Sequence, residues 1–135
     1  MYPTDRARID ALIPKAKRAL REVGIAKDGE VQKAWKGQVS AFGAAMTLGS
    51  PYAAIALFSN KEDKSSVERP LLLAAICKLI KRPQNGQNTD LATLLSNVSG
   101  DPARRRNLEQ EIINATVAIK LAMNLYTIRD SRPPT

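Results

Sequence analysis

Arg104-Arg105-Arg106 is the densest run of positive charge in the chain. Three guanidiniums at a helix start can hold a phosphate, because the first turn adds unpaired backbone N–H donors. Consecutive helical residues fan over roughly 200°, however, so the three cannot grip a single phosphate row. Placed there they also oppose the helix dipole. A solvated face is the competing reading of this run. A second basic set, Lys15, Lys17, Arg18 and Arg21, lies opposite the apolar arc of a first helix. An anion-binding face and an ordinary solvent face both fit it. Lys33 and Lys36 flank Trp35, and an aromatic between cations can stack a base. Trp35 also belongs to an apolar stripe, which favours a core ring with solvent-facing lysines. Lys78, Lys81 and Arg82 point away from the apolar face of a later helix.

Chemistry of the catalytic kind finds no residues to carry it. The chain has no histidine, which removes the commonest general base, the commonest metal ligand and every Ser-His or Cys-His pair. Its one cysteine, Cys77, lies in Leu71-Leu72-Leu73-Ala74-Ala75-Ile76-Cys77 and reads as a core thiol. One cysteine makes no intrachain disulfide, and without histidine there is no ligand set for structural zinc. The carboxylates Glu62-Asp63 sit in a polar loop, and Glu109 and Glu111 at i,i+2 face different sides of a helix. Neither pair has a calcium-loop spacing, and there is no glycine-rich phosphate loop or nucleophile elbow. The expectation is a binding subunit, not an enzyme, with no cofactor and no metal.

The whole chain supports that expectation. Its 135 residues suit one domain with a real core. Lys and Arg number 21 against 13 Asp and Glu, a formal net charge of +8. Charge of that size speaks about partners, and nucleic acid is the commonest polyanion in reach. An acidic protein, a membrane surface, or a surface that is merely basic would also account for it. No apolar stretch reaches a membrane-spanning ~18 residues, and the N-terminus lacks a signal-peptide core. A cytoplasmic protein is expected.

Glycine and proline divide the sequence into about six helical segments. The first runs from about Thr4 to Val23, with Ile9, Leu12, Ile13, Ala16, Leu20 and Val23 on one face, a kink at Pro14 and a stop at Gly24. The second spans about Asp28 to Leu48, with Val31, Trp35, Val39, Phe42 and Met46 in one stripe. Gly43 opposite Ala44-Ala45 allows another helix to approach closely, though it weakens the helix locally. Ser50-Pro51 opens a third, Tyr52 to Phe58, apolar on every side and so expected to be buried. After a charged loop at Asn60 to Ser66, Val67 to Lys81 forms a fourth. Beyond a loop at Pro83 to Gln87, Asn88 or Thr89 caps a fifth, Asp90 to Asn97. Asp101-Pro102 starts a long last helix to about Ile128. One of its faces holds Leu108, Ile112, Ala115, Ile119, Met123 and Tyr126, and a second holds Ile113, Val117, Leu121 and Leu125. A helix apolar on two sides is either sandwiched in the core or packed against another chain. The fold class is therefore all-α: a compact single-domain bundle over residues 1–135, core about 4–128, with 129–135 a loose tail.

In this order the segments resemble one family. Trp35-Lys36-Gly37-Gln38-Val39-Ser40-Ala41-Phe42-Gly43-Ala44, then Gly49, then Ala53-Ala54-Ile55-Ala56-Leu57-Phe58, is similar to the signature of the small helical subunit of the Cmr complex, the type III-B CRISPR RNA-guided effector. Arg69-Pro70-Leu71-Leu72 through Leu79-Ile80, Leu91 to Leu95, and Ile112 to Ile128 resemble that family's later helices. The likeness spans about Ile9 to Ile128 and rests on order and spacing. It implies a non-catalytic subunit whose copies stack into a minor filament beside the subunits that hold the guide RNA, lining the path of target RNA in antiviral defence. Its partners would be other Cmr subunits, copies of itself, guide RNA and target RNA. Lys36 matches the family's basic position after the aromatic, and Arg69 opens the matched hydrophobic helix. Lys15, Lys17, Arg18, Arg21, Lys33, Lys78, Lys81, Arg82 and Arg104 to Arg106 join them as RNA-binding candidates on charge. Trp35, Phe42, Val117, Leu121 and Leu125 are the assembly and packing candidates. The family's last helix is often more basic and aromatic near its end than Leu121 to Arg129, a departure that favours packing over RNA contact for this one. A stand-alone basic helical adaptor that binds an acidic protein is the rival reading.

Overall fold

The computed structural model describes residues 5–59, 69–80 and 90–130. Helices α1 (Arg6–Glu22), α2 (Lys33–Leu48), α3 (Pro51–Phe58), α4 (Arg69–Leu79), α5 (Leu91–Asn97) and α6 (Pro102–Met123) make a mostly α fold. Three short strands join them: β1 (Ala26–Lys27), β2 (Glu30–Gln32) and β3 (Thr127–Arg129).

Helix starts are set by side-chain caps. Asp5 Oδ1 accepts from the Arg8 N–H at 3.3 Å, Ser50 Oγ from Ala53 at 3.0 Å, and Asp101 Oδ1 from Arg104 at 3.2 Å. Each satisfies one of the backbone donors that a first turn leaves unpaired. The fifth helix is capped by Asp90, whose Oδ1 accepts from Thr93 N–H at 2.8 Å, and not by Asn88 or Thr89. That bond holds the Asp90 carboxyl below the usual carboxylate range, with a small opposing contribution from burial. Gly24 leaves α1 with φ +89°, the left-handed conformation that a glycine stop supplies.

Two boundaries depart from the sequence reading. The stretch from Asp28 is a hairpin turn, not the start of a helix. Asp28 and Gly29 both have positive φ, 53° and 77°, as a two-residue type I′ turn requires. β1 and β2 pair antiparallel across it, Ala26 with Val31 and Lys27 with Glu30. Val31 is buried as expected, but as a strand residue. At the other end α6 stops at Met123. Thr127 and Ile128, both β-branched, pair parallel to β2, Ile128 beside Val31, so β2 is the central strand. The Thr127 N–H reaches Gly29 O at 3.0 Å, and Arg129 pairs with Glu30 at 2.7 Å. Arg129 is therefore part of the sheet and not of a loose tail; residues 131–135 lie outside the described part.

α6 is the spine, packed against α1, α2 and α4. Alanines on both sides of its most extensive pairing, Ala16 and Ala19 on α1 and Ala115, Ala118 and Ala122 on α6, are fully buried. Small side chains let two helix backbones approach while excluding water. Phe42 and Phe58 pack edge to face with centroids 5.0 Å apart, locking α2 to α3. Two buried polar side chains lie within α6. Thr116 Oγ1 donates to Ile112 O at 2.7 Å, and Gln110 Nε2 donates to Asn114 Oδ1 at 2.9 Å.

Two packing expectations are corrected. A Cβ at Gly43 would meet nothing within 4 Å, so among the described residues no helix uses the space it leaves. α3 is not enclosed: Ala54, Ile55 and Phe58 face the core, but Tyr52 is 52% and Leu57 50% exposed, and Leu48 at the α2–α3 corner is 88% exposed. Its second apolar face is bare because no neighbour among the described residues covers it. Among the described residues, no helix is long and apolar enough to cross a membrane. The loops at Asn60 to Ser66 and Pro83 to Gln87, and the outer ends Val67 and Lys81 of the fourth helix, fall outside the described residues.

Candidate nucleic-acid interface

The fold gathers some of the sequence-selected cations and separates others. The C-terminal turn after α6 is where they meet. The Tyr126 hydroxyl donates to Lys17 O on α1 at 2.6 Å, a contact between residues 109 apart in the chain. The Lys17 ammonium lies 5.8 Å from the centre of the same ring, within cation–π range. From the other side the half-buried Lys36 on α2 donates to Asn124 Oδ1 at 3.1 Å, across 88 residues. Lys33 is exposed in the first turn of α2, on the same helical side as Lys36. Lys120, also exposed, stands one turn before Asn124. Lys17 and Lys36 thus reach the turn after α6 from α1 and α2, with Lys33 one turn before Lys36 and Lys120 one turn before Asn124. Part of the reason is local: a helix C-terminus carries partial negative charge and attracts cations.

The α1 set does not form one patch. By helix geometry Lys17 and Arg21 lie about 40° apart, whereas Lys15 lies about 160° from Lys17. Lys15 is half-buried, while Lys17, Arg18 and Arg21 are exposed. Asp10 shares the sector of Lys17 and Arg21, and Glu22 from the same helix end pairs with Lys78 on α4 at 4.0 Å. That pair is solvent-exposed and mainly neutralises the two charges.

Arg69 has a structural use. Its Nε donates to Gln38 Oε1 at 2.8 Å, and its guanidinium sits 4.6 Å from the centre of the Phe58 ring. It ties α4 to α2 and α3 from a half-buried position, with little left for an external anion. Arg104, Arg105 and Arg106 are all exposed at the start of α6. Lys81 and Arg82 lie outside the described residues.

Of the assembly candidates, Trp35 and Phe42 belong to the core, which rules out Trp35 as a stacking platform in this fold. Val117, Leu121 and Leu125 are 36%, 43% and 56% exposed, a bare aliphatic row on the outer side of α6. Cys77 is half-buried, and burial, with Asp90 nearby, pushes its thiol up, against a lesser pull from Lys78. That keeps it a thiol at neutral pH, the opposite of an activated nucleophile. Among the described residues, no three Cys, Asp or Glu side chains are placed to hold a metal ion.

Lys120 and Tyr126 were missed from sequence. Lys120 is a lone cation in the apolar C-terminal half of α6, and the helical spacing of Tyr126 puts it on the buried face of a helix continued to Ile128. Neither carries a local signal, because their relevance arises from contacts with α1 and α2. No protein-family model, no curated protein and no solved structure matches the chain.

Proposed function

We propose that the chain is a non-catalytic small subunit of a type III-B CRISPR (Cmr) ribonucleoprotein complex, contacting the RNA backbone and assembling through its bare apolar faces. The observation that carries this reading is the lysine corner at the end of α6, where Lys17 and Lys36 arrive from different helices beside Lys33 and Lys120. Lysines are compact point charges suited to phosphates rather than to base edges, so such a corner binds without reading sequence. The order of helices expected from the family resemblance, with a long last helix, is consistent with this reading. The bare faces of α3 and α6 are suited to contacts with neighbouring subunits, the uncharged α3 face to copies of this chain. One isolated corner of four lysines is a weak site, and copies placed side by side would extend it along an RNA strand.

The deciding experiment is co-purification with a guide RNA and the other complex subunits, followed by native mass spectrometry and titration of the assembly with single-stranded target RNA. Incorporation of several copies and salt-sensitive RNA binding are expected. Failure to enter the complex would refute the subunit assignment. Absence of any contribution to RNA binding at low salt would refute the backbone contact.

A further inference from the structure

The bare row on α6 is bordered by cations. Ile113, Val117 and Leu121 recur every fourth residue and line up along the helix surface, with Leu125 just beyond its end. At about 100° per residue, the charged residues of α6 within roughly 60° of Val117 are Arg106 and Lys120, both exposed. Lys36 joins from α2, its ammonium on Asn124. Glu109 stands one turn before Ile113 in the same i,i+4 series and heads the row at its N-terminal end, so Lys120 and Lys36 border the C-terminal part of the row.

We propose that this row is a docking surface for an acidic amphipathic helix of a partner protein. An aliphatic ridge with i,i+4 spacing accepts the apolar stripe of a second helix, and carboxylates flanking that stripe would meet Arg106, Lys36 and Lys120. The border charge selects this occupant over two others. A second copy would bring a chain of net charge +8 against another of +8, with three cations and one carboxylate bordering the ridge on each side. RNA would satisfy the cations but leave the aliphatic row without a stacking partner, since bases stack on aromatic faces. Lys36 and Lys120 also belong to the lysine corner proposed for RNA, so an acidic helix on the row and RNA at the corner would compete for these two cations. If copies stack, the bare α3 face, whose exposed residues carry no charge, remains available to them.

The test uses the full chain and a labelled helical peptide with leucines at i, i+3, i+4 and i+7 and glutamates on both flanks. Its controls are a twin carrying lysines in place of the glutamates, and a single-stranded RNA. By fluorescence anisotropy the acidic peptide is expected to bind at least about tenfold more tightly than the twin, and Leu121→Glu to weaken it at least about tenfold. Lys120→Glu should weaken the acidic peptide several-fold and strengthen the lysine-flanked twin, a swap that a merely structural defect would not produce. Circular dichroism confirms that both surface variants fold. Equal binding of the two peptides, or unchanged binding by Leu121→Glu, overturns the proposal. Loss of RNA binding in Leu121→Glu with the peptide unaffected would assign the row to RNA. Loss of self-association in that variant, read by sedimentation velocity, would assign it to a second copy.

Discussion

Replacing Lys17, Lys33, Lys36 and Lys120 together by Gln gives the sharpest test of the lysine corner. Each Gln keeps most of the aliphatic stem, and at position 36 it retains a donor for Asn124. Four ammonium groups each neutralising one phosphate of a single strand imply a slope of log affinity against log salt near about −2.8. Raising salt from about 50 to 200 mM should then weaken binding roughly 50-fold. At about 0.15 M salt the four contacts account for roughly 3 kcal/mol, a factor of about 200 in affinity. The assay is anisotropy of a labelled single-stranded RNA on the assembled complex across a salt series. The variant should lose both the affinity and about 2.8 from the magnitude of the slope for each bound copy. Unfolding midpoints should shift little, because three of the four side chains are exposed and the fourth keeps a hydrogen bond. A variant that folds, enters the complex and retains wild-type affinity and slope would refute the reasoning.

Arg69→Ala should behave in the opposite way. It should destabilise the fold by about 1–2 kcal/mol in urea, through loss of the Gln38 bond and the Phe58 cation–π contact, and leave RNA affinity unchanged. Gly29→Val should cost about 1–2 kcal/mol, since a β-branched side chain is strained at φ 77°; an unchanged urea midpoint would contradict the type I′ turn. Asp90→Ala should cost about 1 kcal/mol by removing the cap of α5. The Asp90 carboxyl is held below its ordinary value in the fold, so its stabilisation is complete above the unfolded value and is lost as pH falls through the lowered folded one. The difference between wild type and D90A in urea midpoint should therefore shrink under acid. Tyr52→Ser with Leu57→Ser should reduce self-association in sedimentation velocity without lowering helicity, if the bare α3 face meets other copies.

Local signals account for most of the helix positions. Ser50-Pro51 and Asp101-Pro102 each combine a capping oxygen with proline at the first helical position, and both helices start there. The stripe Trp35, Val39, Phe42 and Met46 is buried, because helical periodicity in the chain is the geometry of one helix face. Asp28-Gly29 was a legible hairpin signal, yet Val31 also fits the helical stripe of α2, and periodicity masked the turn. β3 had no such signal. Its pairing with β2 joins residues almost a chain length apart, and three residues hold strand form there only because a partner's backbone is present.

The candidate interface divides along the same line. The excess of Lys and Arg, the lack of histidine and the second apolar face of α6 were fixed by composition and spacing alone, since each is a count or a period. Which cations stand together was decided by tertiary packing. Bringing Lys17 and Lys36 to one helix end needs contacts spanning 109 and 88 residues, and no local pattern encodes them. The same packing drew Arg69 inward against Phe58, buried Trp35 and left α3 half bare. Charge in a sequence states how strongly a protein attracts a polyanion; only the fold decides where that attraction is concentrated.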